Sequence, residues 1–269
     1  MTSFIAGNCD TSSVATMGNM FQSCSSLTTL DVSNFDTSSV NDMGYMFYIC
    51  PSLTTLDVSS FDTSSVTSMF VMFYGCSSLT TLDVNGFDTA NVTNMVQMFR
   101  DCSSLTTLDV SNFDTSSVTN MGYIFRNCSS LTTLDVTNFD TSSVTNMDSM
   151  FRNCSSLTTL DVSNFDTSSV TNMYTMFYLC TSLTDIVGVE DFNIEALDST
   201  TDLDNFATSI TLPTARYDAL LINWDAQEPF DGMSPNFGSS TYTAGGAAAA
   251  ARANLISNDG WTITDGGTA

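Results

Sequence analysis

The chain has 269 residues, and its 29 acidic residues face five arginines, with no lysine and no histidine, for a formal net charge of −24. That balance excludes the basic patches that nucleic-acid and anionic-membrane binding need, and suits cationic partners or divalent ions. No stretch approaches the ~18 consecutive apolar residues of a membrane span, and MTSFIAGNCD lacks the basic and apolar regions of a secretory signal, so neither membrane insertion nor a leader within this chain is expected.

From its first residues the chain repeats every 26 positions. Cys24, Cys50, Cys76, Cys102, Cys128, Cys154 and Cys180 mark the period. Strand-like segments start at Met1, Leu27, Leu53, Leu79, Leu105, Leu131, Leu157 and Leu183, giving eight strands and seven repeats. A unit of this size cannot bury its own apolar face, so successive units must stack. Within each strand, alternation points Leu30 and Val32 inward and Thr29, Asp31 and Ser33 outward. Next comes Asp36-Thr37-Ser38-Ser39, rich in helix N-cap residues. Val40, Met43, Phe47 and Cys50 then recur at i, i+3, i+7 and i+10, which predicts a short helix. The expected fold is an α/β repeat solenoid with a parallel β-sheet on one face and short helices on the other. Methionine and phenylalanine columns fill its core. The cysteine column reads as reduced thiols acting as small buried hydrophobes, because CxxC spacings and histidines are absent.

The repeat fails after Gly188, dividing the chain into a solenoid of residues 1–188 and a C-terminal capping or interaction segment of residues 189–269. The irregular stretch 189–212 is expected to wrap the last strand. Thr214 is placed to open a helix in which Tyr217, Leu220, Leu221 and Trp224 share a face. A turn-rich stretch, an alanine-rich helix from Gly245 to Ile256 and a short strand, GWTITDGG, complete the tail.

The unit FDTSSVTNMxxMFxxCSSLTTLDVSN resembles the BspA-like leucine-rich repeats of bacterial surface proteins, particularly the DUF285 type. The resemblance runs from Met1 to about Gly188, and the tail is loosely similar to segments of phage tail-associated proteins. It implies a leucine-rich-repeat fold displayed outside the cell. One departure stands out: Phe35, Phe61, Phe87, Phe113, Phe139 and Phe165 stand where such repeats carry an asparagine ladder. Another group must then satisfy the turn backbone, and the adjacent Asp36 column is the expected one.

Four sets of residues are candidates for function. Asp31, Asp57, Asp83, Asp109, Asp135 and Asp161 form a row on the outer strand face, flanked by threonine and serine oxygens. Calcium takes six to eight such oxygens, so this row is the candidate metal ladder. A second aspartate column, from Asp10 and Asp36 to Asp166, sits where carboxylates accept turn amides and reads as structural. Positions that vary between the copies form the third set: Tyr45, Tyr48, Phe70, Tyr74, Arg100, Tyr123, Arg126, Arg152, Tyr174 and Tyr178. Tyrosine and arginine are enriched in binding hot spots, which makes these the candidate partner contacts. Last, Phe4, Met17, Met20 and Phe21 are expected to lie exposed at the N-terminal edge and to dock another copy or another protein, the alternative being that the chain is a fragment.

Identical carboxylate pairs in every unit give no unique cleft, so no catalytic site and no resident cofactor is expected, calcium excepted. The expected function is a non-enzymatic surface-displayed binding or adhesion module acting through protein or glycan contacts. The alternative is a structural virion component, such as a phage tail or decoration protein. Either places the chain outside the cell, on a bacterial surface or a virion.

Overall fold

A computed structural model of the chain describes residues 2–7 and 9–269. Met1, expected to open the first strand, lies outside the described residues. The 26-residue units form coils laid on one another, because backbone bonds recur between residues 25 or 26 positions apart along the repeats. The first two strand rows pair in parallel as β1 (Ser3–Ile5) and β2 (Thr29–Asp31), with Phe4 opposite Leu30. The last two pair as β3 (Thr159–Asp161) and β4 (Asp185–Val187), with Leu160 opposite Ile186.

The four rows between them are not strands. Only sparse amide bonds cross there, such as Thr106 N–H to the Thr80 carbonyl at 3.3 Å. The Thr106 hydroxyl donates to that same carbonyl at 3.4 Å, so side chain and backbone compete for one acceptor. A groove of about 1240 Å³ runs over these rows.

The expected short helices are β-turns instead. In Met69–Cys76 the amides alternate in direction. Met69, Val71, Phe73 and Gly75 donate to Asn94, Val96, Met98 and Arg100 of the next coil at 2.8–3.0 Å. Met72, Tyr74 and Cys76 donate back to Met69, Val71 and Phe73 at 3.2 Å. Val71 and Gly75, third in their turns, have φ of 49° and 72°, the left-handed value a type II turn requires. The turn pair repeats every four residues and so mimics a helical spacing, while its coil-to-coil bonds use the amides a helix would keep within itself.

The columns inside follow the repeat. Phe47, Phe73, Phe99, Phe125, Phe151 and Phe177 stack at ring-centroid distances of 5.5–5.9 Å. That spine ends at Phe206, which meets Phe177 edge-on at 5.2 Å. Cys50 to Cys180 are buried free thiols, each donating to the carbonyl of a phenylalanine one coil back, as Cys102 Sγ does to Phe73 at 3.1 Å. Burial pushes the Cys50 thiol up to about 11 and the Cys128 thiol up to about 12.

Beyond Gly188 the coil-to-coil bonds continue with longer spacing. Thr175 and Phe177 donate to Asp204 and Phe206, Ala207 to Asn236 and Phe237 to Thr264. What changes is the other side, where α1 (Thr214–Asp225) and α2 (Ala247–Ser257) pack together. Tyr217, Leu220, Leu221 and Trp224 are buried on α1, the face its spacing predicted. Arg216 clamps α1 to the last strand row by pairing with Asp185 of β4 and with Glu190. Asp265 ties the final segment to both helices, accepting from Tyr217 Oη at 2.7 Å and Arg252 Nε at 2.8 Å.

Candidate functional site

The two aspartate columns turn out to do the same local work. In the strand-face row, Asp31 Oδ1 accepts the Ser33 N–H at 3.1 Å and the Ser33 hydroxyl at 2.7 Å. Asp57, Asp109, Asp135 and Asp161 repeat this with Ser59, Ser111, Thr137 and Ser163, and Asp83 accepts the Asn85 amide alone. In the second column, Asp36 Oδ1 accepts the Ser38 N–H at 3.1 Å and its hydroxyl at 2.6 Å. The Ser33 hydroxyl and amide hold the Asp31 carboxyl below its ordinary range, and repulsion from Asp57 is the smallest of the influences on it. Each carboxylate of the row therefore has one oxygen committed to its own turn. Among the described residues no three histidine, cysteine or acidic groups converge on a point that would hold a metal ion.

The group that stands in for an asparagine ladder is a threonine column that the sequence reading passed over. Thr37 is 1% exposed. Its Oγ1 donates to the Asp62 carbonyl of the next coil at 2.9 Å and accepts the Asp62 N–H at 2.7 Å. Thr11, Thr89 and Thr167 bridge to Asp36, Asp114 and Asn193 in the same double manner. The sequence signal was there: an invariant threonine follows an exposed aspartate in all seven copies, and two serines follow it in six of them, Ala90 and Asn91 in the other.

At the first coil, two of the four residues expected to lie exposed are covered. Met17 and Phe21 are buried, since Phe21 stacks on Phe47 at 5.8 Å and meets Phe4 edge-on at 5.3 Å. Met20 is 47% exposed and Phe4 half-buried, and with Leu27 they border a cavity of about 440 Å³. Among the described residues no N–H reaches the carbonyls of Gly18, Met20 or Gln22, the positions that accept coil-to-coil bonds everywhere else.

The varying positions come together. They lie on the double-turn side, and all of them except the exposed Tyr174 are half-buried. Tyr45 meets Tyr48 and Phe70 edge-on at 5.3 and 5.2 Å, and Tyr48 stacks on Tyr74 at 5.0 Å. The Arg100 guanidinium lies 5.0 Å from the Tyr74 ring and 5.5 Å from the Tyr123 ring. Arg126 lies 5.4 Å from Tyr123, and Arg152 lies 4.9 Å from Tyr178. The result is a stripe with one tyrosine or arginine per coil, in which Tyr48 stacks on Tyr74, Arg100 lies between Tyr74 and Tyr123, Arg126 lies on Tyr123 and Arg152 lies on Tyr178.

Neighbouring side chains fix the stripe in place. Gln97 Oε1 accepts from Arg100 at 3.1 Å, and Asp101 pairs with Arg100 at 3.4 Å. The Tyr123 phenol donates to Asp148, whose other oxygen accepts from Ser149 at 2.6 Å. Burial, then that bond, pushes the Tyr123 hydroxyl up to about 12. Burial and the adjacent Arg100 and Arg152 charges lower the basicity of Arg126.

No helix among the described residues is long and apolar enough to cross a membrane. No curated protein matches the chain. The family model described as "Mycoplasma protein of unknown function, DUF285" matches residues 3–108 and 97–217, two overlapping stretches that run through the whole repeat array and into α1. The chain belongs to the DUF285 family.

Proposed function

We propose that the chain is a non-catalytic binding module, a leucine-rich-repeat-like solenoid of the BspA-like kind, which works outside the cell by contact with a macromolecular partner. The observation that carries this reading is the stripe from Tyr45 to Tyr178. The copies are nearly identical where they stack and differ where the stripe runs, and the differences gather tyrosine and arginine into one surface. Those residue types dominate binding energetics wherever they are held rigid and partly desolvated, and the stacked rings supply that rigidity. The scaffold residues, by contrast, are committed inwards: the thiols to carbonyls, the threonines to the next coil and one oxygen of each strand-face aspartate to its turn.

Adhesion of beads carrying the full chain tests the reading. Beads are applied to printed extracellular-matrix proteins and glycans, with a Tyr48→Ala/Tyr74→Ala/Arg100→Ala variant alongside. The expected result is retention on at least one printed ligand by the native chain and at least tenfold less by the variant, with circular dichroism unchanged. Equal retention of the two by every printed ligand would sink the proposal.

A further inference from the structure

In a chain with 29 acidic residues, two neighbouring arginines carry no ion pair. Among the described residues, the salt bridges join Arg100 to Asp101, Arg216 to Asp185 and Glu190, and Arg252 to Asp265, and none involves Arg126 or Arg152. Neither guanidinium has a hydrogen bond to any described residue, and the Nε of Arg126 is buried without an acceptor. The acidic groups nearest at hand are committed elsewhere: Asp101 also accepts from Asn127, and Asp148 takes the Tyr123 phenol. With 29 acidic residues in the chain, a surface selected only for solubility would leave no such row uncompensated.

We infer that Arg100, Arg126 and Arg152 form a reading row for a carboxylate-bearing polysaccharide, lying along the coil axis with one acidic sugar per coil. The spacing favours this occupant over the other polyanions. Coils of parallel backbone repeat at ~4.8 Å, close to the advance of a pyranose chain per sugar. Successive sugars of an extended chain are turned over, so their carboxylates on one face meet every second coil, at ~10 Å. An extended acidic peptide places them roughly 6.7 Å apart and falls out of register with the coils. The row is also built to be read from its edge. The faces of Tyr74, Tyr123 and Tyr178 are covered by the guanidiniums, so sugar rings cannot stack on them. Outward N–H groups remain, which suit the in-plane geometry of a carboxylate. Tyr48, Tyr74 and Tyr178 continue the row on either side with hydroxyls that exchange hydrogen bonds with sugar hydroxyls. The net charge of −24 does not forbid this, because at physiological ionic strength the Debye length is ~8 Å and carboxylates across the core are screened.

This inference rests on the stripe being a contact surface. The test is titration calorimetry of the full chain with oligogalacturonate, its methyl ester and length-matched oligoglutamate. Saturable binding of the free acid is expected, with the ester and the peptide each at least tenfold weaker. Arg126→Gln/Arg152→Gln should weaken the free acid at least tenfold, while Asp109→Asn on the strand face leaves it unchanged. The ester comparison needs no variant, so a poorly folding double mutant does not rescue the idea. Binding of the ester or of oligoglutamate as tight as the free acid overturns it, and so does binding indifferent to the double substitution, or none. If the uronate fails while beads still adhere through the stripe, only the polysaccharide is lost; if adhesion fails too, the binding module falls with it.

Discussion

A single hydroxyl decides how one coil is locked to the next. Thr37 is buried, and its Oγ1 serves both the N–H and the carbonyl of Asp62, two backbone groups that would otherwise be orphaned near the core. Removing a buried partner exposes the full desolvation cost of the groups left behind, about 1–3 kcal/mol. Thr37→Val, which keeps the shape and loses the hydroxyl, is therefore expected to lower the unfolding free energy by about that much, read from the urea midpoint. Ser39→Ala serves as the contrast, since the Ser39 bond to the Ser12 carbonyl is exposed and water can replace it. Expecting the Asp36 column to satisfy the turn was half the answer. Its carboxylates hold the turn within a coil, and the threonine beside them joins coils, a division of labour that only the placement of each oxygen reveals.

The double turn is the element whose nature the amino-acid pattern disguised. Its inward residues recur at three and four positions like a helix, yet its backbone visits the left-handed region twice per coil. The residues there include Tyr45, Ile49, Val71, Tyr123, Thr175 and Leu179, and among the described residues Gly75 is the one glycine at these double-turn positions within the repeats. A type II turn asks for glycine or asparagine at that position, and a sequence that offers isoleucine or valine instead hides it. The side chain then pays a steric penalty of roughly 1–2 kcal/mol. Asn127 and Asn153 already stand at the position of Ile49 in later coils. Ile49→Asn should thus stabilise the chain by about 1 kcal/mol, seen as a raised thermal midpoint; a lowered one would mean that Ile49 packs better than it is strained. Two of these left-handed positions, Tyr45 and Tyr123, belong to the stripe, whereas Tyr48, Tyr74 and Tyr178 each stand one residue before such a position.

Across the whole molecule the aspartates act together. Ten of them, Asp10, Asp31, Asp36, Asp57, Asp62, Asp109, Asp114, Asp140, Asp161 and Asp166, are held below the ordinary 3.8, chiefly by the side-chain and amide bonds of the residue two positions on. A folded value below the unfolded one contributes stability that is fully present above the unfolded value and lost as pH falls through the folded one. Burial raises Asp202, Asp204 and Asp259, the opposite sign, but they are three against ten. The urea midpoint should therefore hold level from about pH 7 to about pH 5 and drop below about pH 4. A midpoint that climbs on acidification would show that relief of repulsion outweighs the loss of turn bonds.

The period, the inward columns, the buried free thiols and the apolar face of α1 were all legible in the sequence, because each depends on a residue type recurring at a fixed interval. So was the set of varying positions, since copies within one chain serve as their own comparison. Three things were settled only by the tertiary structure. Turns replaced helices because coil-to-coil bonds compete for the amides a helix would use internally. Met17 and Phe21 were covered because Phe4 and the second coil close over them. The varying residues became one stripe, with Arg126 and Arg152 left without partners, because stacking sets side by side groups that lie 26 residues apart, and no local pattern encodes which acidic groups will be committed elsewhere.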